Sequence, residues 1–229
     1  MNYTLAVFDM DGTILDTLED LAASLNFALK EEGFPTRTLD EVRSFVGNGV
    51  RKLVERGVPG TASTAEIDEV YAAFIVHYKE HCADSTRPYD GILSLLKQLK
   101  KAGCKTAVVS NKADFAVKEL CVRYFDGLFD AAVGERLGVK KKPAPDSVNE
   151  VLRLLFKDKA DTVYIGDSEV DIETADNAGL SCISVDWGFR DRGFLIAHGA
   201  KSIVSAPEEL ARMVKGPEEL KTKTEKHKV

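Results

Sequence analysis

Val7-Phe8-Asp9-Met10-Asp11-Gly12-Thr13 sets the organisation of the whole chain. The run Leu5-Ala6-Val7-Phe8 that leads into it is continuously apolar, as in a strand buried on both faces, and it ends abruptly in two acids and a glycine. In a parallel α/β sheet ligands bind outside the carboxyl ends of the strands, so a reactive carboxylate belongs where this run stops. Gly12 lets the backbone turn and approach a bound anion, and Thr13 offers a hydroxyl to it or to the segment that follows. A calcium loop opening at Asp9 is excluded, because Ile14 stands where its glycine would be and Asp20 where its closing glutamate would be. An Asx turn with no chemistry is the plain alternative.

With 229 residues, 44% of them hydrophobic, the chain can bury one full core with a smaller satellite domain. A formal charge of −6 argues against a nucleic-acid partner, which would require a basic face, and leaves a small anionic substrate to be met by a metal or a few placed cations. Cys82, Cys104, Cys121 and Cys182 form no C-x-x-C pair and sit in apolar or helical stretches, as reduced core thiols do. No apolar run is long enough to span a membrane, and Met1 leads into a strand and not a basic leader, so a cytoplasmic protein without a membrane partner is expected.

Beyond Thr13 the apolar spacing from Leu15 to Leu29 predicts a helix stopped by Gly33, and Thr38 with Glu41 and Ser63 with Glu66 each form the S/T-x-x-E start of another. Nothing from Thr17 to Asp84 reads as a strand, so residues 17–85 form a helical insertion with hinges near Asp16-Thr17 and Ser85-Pro88. From Tyr89 on, strands at Cys104–Val109, Phe129–Val133, Thr162–Ile165 and Cys182–Val185 alternate with helices. That rhythm implies right-handed crossovers and an α/β, doubly wound parallel sheet built from residues 1–16 and 86–214. Residues 215–229, rich in lysine and lacking an apolar stripe, read as a flexible tail.

Asp9-Met10-Asp11-Gly12-Thr13, Ser110-Asn111, Lys142-Pro143-Ala144-Pro145 and Gly166-Asp167-Ser168 with Asp171 together resemble, in order, the four motifs of the haloacid-dehalogenase-like (HAD) phosphohydrolases. The helical insertion resembles the small cap of that superfamily. Val42-Arg43-Ser44-Phe45-Val46-Gly47-Asn48-Gly49 and Asp186-Trp187-Gly188-Phe189 look most like phosphoglycolate phosphatases. The resemblance implies a Mg²⁺-dependent phosphatase for a small phosphorylated metabolite, 2-phosphoglycolate first, working as a monomer or weak homodimer. It implies Asp9 as nucleophile, Asp11 as the acid that protonates the leaving oxygen and then activates water, and a metal held by Asp9, the Asp11 backbone carbonyl and Asp167.

The residues bear their own physical reading. Side chains two apart in extended chain point the same way, so Asp9 and Asp11 can flank one phosphate, and Asp167 adds a hard oxygen of the kind Mg²⁺ takes. Asp171 either caps the helix that starts at Ser168 or acts from behind the metal, through water or toward Lys142; the two are compatible. Ser110 and Asn111, placed at a strand end and helix start, can hold phosphate oxygens, although alone they make an ordinary helix cap. Of the three lysines at 140–142, Pro143-Ala144-Pro145 selects Lys142 to offset charge on the nucleophile and phosphoryl group.

In the cap, Arg43 can pair with a substrate carboxylate or simply be an exposed helical arginine, and Gly47-Asn48-Gly49 can present backbone N–H groups. That glycine pair is not a dinucleotide fingerprint, since Lys52 replaces the third glycine and no strand precedes it. A sugar-phosphate mutase of the same superfamily shares the nucleophile, and Thr13 favours hydrolysis because the mutases resemble this pattern with valine there. A phospho-accepting signalling module is about half this length, carries adjacent acids after its first strand and has no cap.

Overall fold

The computed structural model describes residues 2–216, so all but the first two residues of the expected tail lie outside the described residues. Strand β1 (Leu5–Phe8) is wholly buried and is followed by a two-residue strand β2 (Leu15–Asp16). Four helices come next, α1 (Leu18–Glu31), α2 (Leu39–Phe45), α3 (Val50–Gly57) and α4 (Thr64–His81), and then strand β3 (Arg87–Pro88). Helix α5 (Ile92–Lys101) and β4 (Lys105–Ala113) open the alternating part. It continues through α6 (Asp114–Phe125), β5 (Ala131–Glu135), α7 (Asp146–Leu155), β6 (Thr162–Gly166), α8 (Glu169–Ala178) and β7 (Ser181–Val185). Helix α9 (Arg192–Ala197), β8 (Ile203–Val204) and α10 (Pro207–Lys215) complete it.

The main sheet is parallel throughout, in the order β5-β4-β1-β6-β7-β8. From β1 the chain winds first to one side and later to the other, so β1 lies at the point where strand order reverses, which is where ligands bind in such sheets. Register then decides which residues meet. Phe8 pairs with Val108 on one side and Ile165 on the other, and the Asp9 N–H donates to the Ile165 carbonyl at 2.8 Å. The residues that follow these three positions therefore emerge at one edge of the sheet.

The doubly wound parallel sheet and the all-helical cap inserted after its first strand are both present. Helices α2 and α4 start in the expected capping boxes, with Glu41 accepting from the Thr38 N–H and Glu66 from the Ser63 N–H, each at 2.7 Å. The chain enters and leaves this helical layer through the antiparallel ribbon β2–β3, where Leu15 pairs with Pro88 and Asp16 with Arg87. Buried Asp20 ties the same junction by accepting from the Ser85 and Thr86 N–H groups, both at 2.8 Å.

Two boundaries differ from expectation. The first cap helix starts at Leu18 and not Leu15, because Leu15 and Asp16 are held in the ribbon. Strand β4 does not stop at Val109: it runs to Ala113 with a register shift against β5 on the way, and the next helix starts only at Asp114. Ser110 and Asn111 therefore lie inside a strand and not at a helix N-terminus. The two residues of the expected tail that are described, Lys215 and Gly216, are the last residue of α10 and its C-cap.

Candidate active site

Asp9 and Asp167 leave the ends of neighbouring strands, and with Asp171 each offers a carboxylate oxygen such that all three lie within 4.8 Å of one another, all buried. The segments around Asp167 are locked by close approach. Gly12 has φ +83°, and a Cβ there would stand 2.3 Å from Asp167 Oδ2, so only glycine fits. Thr13 donates its hydroxyl to Asp167 Oδ1 at 3.2 Å, and the Phe189 N–H donates to Oδ2 at 2.7 Å. Trp187 closes the same wall by donating its ring N–H to the Thr13 carbonyl at 3.1 Å. Thr13, buried and turned to Asp167, thus acts on the acid and not on open space.

Lys142 is buried among acids: its Nζ lies 2.7 Å from Asp171 Oδ1, 2.9 Å from Asp9 Oδ1 and 3.1 Å from the Tyr164 hydroxyl. Asp171 is fully engaged, since its other oxygen accepts from the Ser168 N–H at 3.1 Å and the Ser168 hydroxyl at 2.6 Å. Asp171 thus closes the start of α8 and holds Lys142 at the same time. Asp9 differs: its contact with Lys142 lacks the alignment of a hydrogen bond, and Oδ1 takes no hydrogen bond from any described group. Burial, opposed by Lys142 and reinforced by Asp171 and Asp11, raises the Asp9 carboxyl to about 6. Burial, Asp171 and Asp9 raise Asp167 well above the usual carboxylate range, against the hydrogen bonds from Phe189 and Thr13.

Asn111 serves this turn. Its amide donates to the Lys142 carbonyl at 3.1 Å and the Gly47 carbonyl at 3.2 Å, while its oxygen accepts from the Lys142 N–H at 2.8 Å. It therefore joins the lysine loop to the cap and has no free amide donor aimed at a ligand. Ser110 lines the cavity, its oxygen accepting from the Lys112 N–H at 3.3 Å.

Two cations here were not foreseen. Lys112, buried near the end of β4, donates to Asp11 Oδ1 at 2.7 Å, and the Thr17 hydroxyl donates to the same oxygen at 2.7 Å. Burial disfavours its charge, but Asp11 and Tyr78 outweigh burial and hold it above the ordinary lysine range. Arg190 pairs with Glu169 at 3.4 Å and reaches the cap, donating to the carbonyls of Arg43 at 2.8 Å and Val46 at 3.0 Å. Arg43 itself is exposed and absent from the cavity wall, so the arginine that lines the cavity is Arg190. Gly47 and Gly49 do line it, whereas Asn48 turns away to accept from Arg56 at 2.8 Å.

The cavity encloses about 560 Å³ of empty space including its mouth. Its floor carries Asp9, Asp11 and Asp167; its roof is apolar, from Leu21, Val46, Val50 and Leu53 of the cap. With all four acids ionised, Asp9, Asp11, Asp167 and Asp171 would outnumber the two lysines Lys112 and Lys142 and leave a charge of −2 in a largely buried place. A divalent cation bound by hard oxygens would cancel that charge.

The model of the haloacid dehalogenase-like hydrolases matches residues 6–185. The chain belongs to the haloacid dehalogenase-like hydrolases. Among curated relatives, the phosphoglycolate phosphatase of Mesorhizobium japonicum is 33% identical, over 84% of this chain and 86% of its own. That of Aquifex aeolicus is 35% identical, over 80% and 84% respectively. A crystal structure from Lactobacillus delbrueckii subsp. bulgaricus, of a protein whose phosphoglycolate phosphatase activity is inferred, superposes with a TM-score of 0.91 at 40% identity, covering 95% of this chain and all of that one. This HAD hydrolase is a phosphoric monoester hydrolase acting on small phosphorylated substrates. No helix among its described residues is long and apolar enough to cross a membrane.

Proposed function

We propose that this HAD phosphatase hydrolyses 2-phosphoglycolate with Mg²⁺ and that Asp9 is its nucleophile. The observation that carries the reading is Asp9, a buried acid that lines the cavity, held by the Lys142 ammonium at 2.9 Å and with a carboxylate oxygen of Asp167 within 4.8 Å of its own. Asp9 and Asp167 bring carboxylate oxygens within 4.8 Å of each other, while both oxygens of Asp171 are tied to Lys142 and Ser168; Asp167 would share with a metal oxygens that already accept from Thr13 and Phe189. With the Asp11 carbonyl, Asp9 and Asp167 would hold Mg²⁺, which supplies positive charge against the phosphoryl oxygens.

In the first step an Asp9 oxygen bonds to phosphorus as the ester P–O bond breaks, and Asp11 gives its proton to the leaving alkoxide oxygen, releasing glycolate. In the second, Asp11, now a carboxylate, takes a proton from water while the water oxygen bonds to phosphorus. Asp9 departs as a carboxylate and inorganic phosphate is formed. Lys142 keeps Asp9 anionic against the burial that raises its carboxyl. The apolar roof keeps other water out while the phosphoryl group is on Asp9.

The relatives named for phosphoglycolate support the substrate. The test is a screen of phosphorylated metabolites with and without Mg²⁺. 2-Phosphoglycolate should release inorganic phosphate fastest, with no phosphorylated organic product and no turnover in a chelator. A sugar phosphate converted to its isomer, with no phosphate released, would overturn the assignment.

A further inference from the structure

Lys112 is a lysine buried at the end of a central strand, an expensive place for a charge, and its Nζ has two neighbours that explain it. It donates to Asp11 Oδ1 at 2.7 Å, and it lies 4.9 Å from the centre of the Tyr78 ring on cap helix α4. Asp11 Oδ1 also receives the Thr17 hydroxyl at 2.7 Å. Thr17 stands at the N-cap of α1, yet makes no side-chain cap bond to its own helix; the hydroxyl serves Asp11 instead. One oxygen of Asp11 is therefore held from two sides, by a core lysine and by the first cap residue. No described residue donates to the other oxygen, and Asp11 faces the cavity.

We infer that Lys112 is a positioning residue that fixes Asp11 with Oδ2 turned to the leaving group, and through Tyr78 makes that orientation depend on the cap being seated. The inference rests on the reading of Asp11 as the proton-transferring residue. Nζ fixes one carboxylate oxygen, so the rotamer that carries the proton is set before substrate arrives. Tyr78 covers the ammonium from the cap side, so lifting α4 would admit water to the Lys112–Asp11 pair and weaken its hold. A proton is needed most when the leaving oxygen is an alkoxide and least when it is p-nitrophenolate, and this contrast separates positioning of an acid from phosphate binding or plain folding.

The experiment measures kcat and KM of the full-length enzyme with 2-phosphoglycolate and with p-nitrophenyl phosphate, for Lys112→Met, Thr17→Val and Asp11→Asn beside wild type. Lys112→Met keeps the volume and the contact with Tyr78 while removing the charge. The expected result is read in kcat/KM, which covers the steps up to release of the leaving group: a fall of about 10- to 100-fold on the alkyl phosphate and of less than about threefold on the aryl phosphate, whereas kcat on both also carries the later activation of water by Asp11. Thr17→Val should show the same contrast more weakly, which keeps the inference testable if the methionine variant does not fold. Equal losses on both substrates in the Lys112 and Thr17 variants, with the contrast kept in Asp11→Asn, would overturn the positioning role and leave Asp11 as the acid. Absence of the contrast in Asp11→Asn would overturn the reading of Asp11, and the inference with it.

Discussion

Lys142 shows at the scale of one residue how tightly this site is balanced. Its ammonium faces Asp9 and Asp171 with almost no access to water, so removing it leaves two buried acids without their cation. Lys142→Met is expected to lower stability by about 3–5 kcal/mol in denaturant titration without metal, and to lower kcat at least 100-fold. Gly188 is a second case. A Cβ there would stand 2.3 Å from the Gly12 carbonyl oxygen and 2.5 Å from Asp167 Cβ, so Gly188→Ala must push apart the two segments that carry the acids. Its activity should fall about tenfold or more and its melting temperature should drop, the overpacking costing about 1–3 kcal/mol, as assay and calorimetry on one preparation would show. Asp9, Asp11, Asp167 and Lys142 were legible because each interrupts an apolar run or precedes a proline turn, a pattern that sequence displays directly. Lys112 was not, because the strand was expected to end at Val109, and a lysine three residues beyond a strand end reads as solvated.

At the scale of elements, the site depends on how the cap is fastened to the core. Arg190 reaches from the segment after β7 to the carbonyls at the end of α2, and Asn111 reaches to Gly47 just beyond it. These bonds join β4 and the post-β7 segment to the turn that bears the cavity's glycines. Arg190→Ala is expected to raise KM about three- to tenfold with a smaller change in kcat, and to speed hydrogen exchange in the α2–α3 turn but not in β1. Unchanged exchange there would mean that Arg190 is not a fastening. The long elements were legible from apolar period and capping boxes. The ribbon β2–β3 was not, since a strand of two residues has no period, and neither was the extension of β4, which is imposed by pairing with β5. Arg190 was missed for a related reason: it follows the last recognised strand, and its partners are backbone carbonyls nearly 150 positions away, which carry no sequence signal.

Across the whole molecule, one buried floor collects a surplus of negative charge that the fold tolerates at a cost. In the metal-free protein the Asp9 carboxyl stands at about 6, above its ordinary value of 3.8, and Asp167 is raised as well. A raised carboxyl is a group the folded state prefers protonated, so the metal-free protein loses stability as pH climbs from about 4 through 6 and is relieved below that range. Mg²⁺ should reverse this where both acids are ionised. The rise in melting temperature on adding Mg²⁺ is expected to be larger at pH 7.5 than at pH 5, with differential scanning fluorimetry as the readout. A rise that is equal at both pH values would separate the metal from these two acids. The position of β1 at the reversal of strand order explains why so much follows from one short stretch: two segments far apart in sequence can reach Asp9 only there.

The most direct measurement is rapid acid quench of the enzyme turning over substrate with labelled phosphate, followed by borohydride reduction and peptide mapping. Asp9 should carry the phosphoryl group and appear as homoserine after reduction. Label on any other residue, or a protein that never becomes labelled while phosphate is being released, would contradict attack by Asp9.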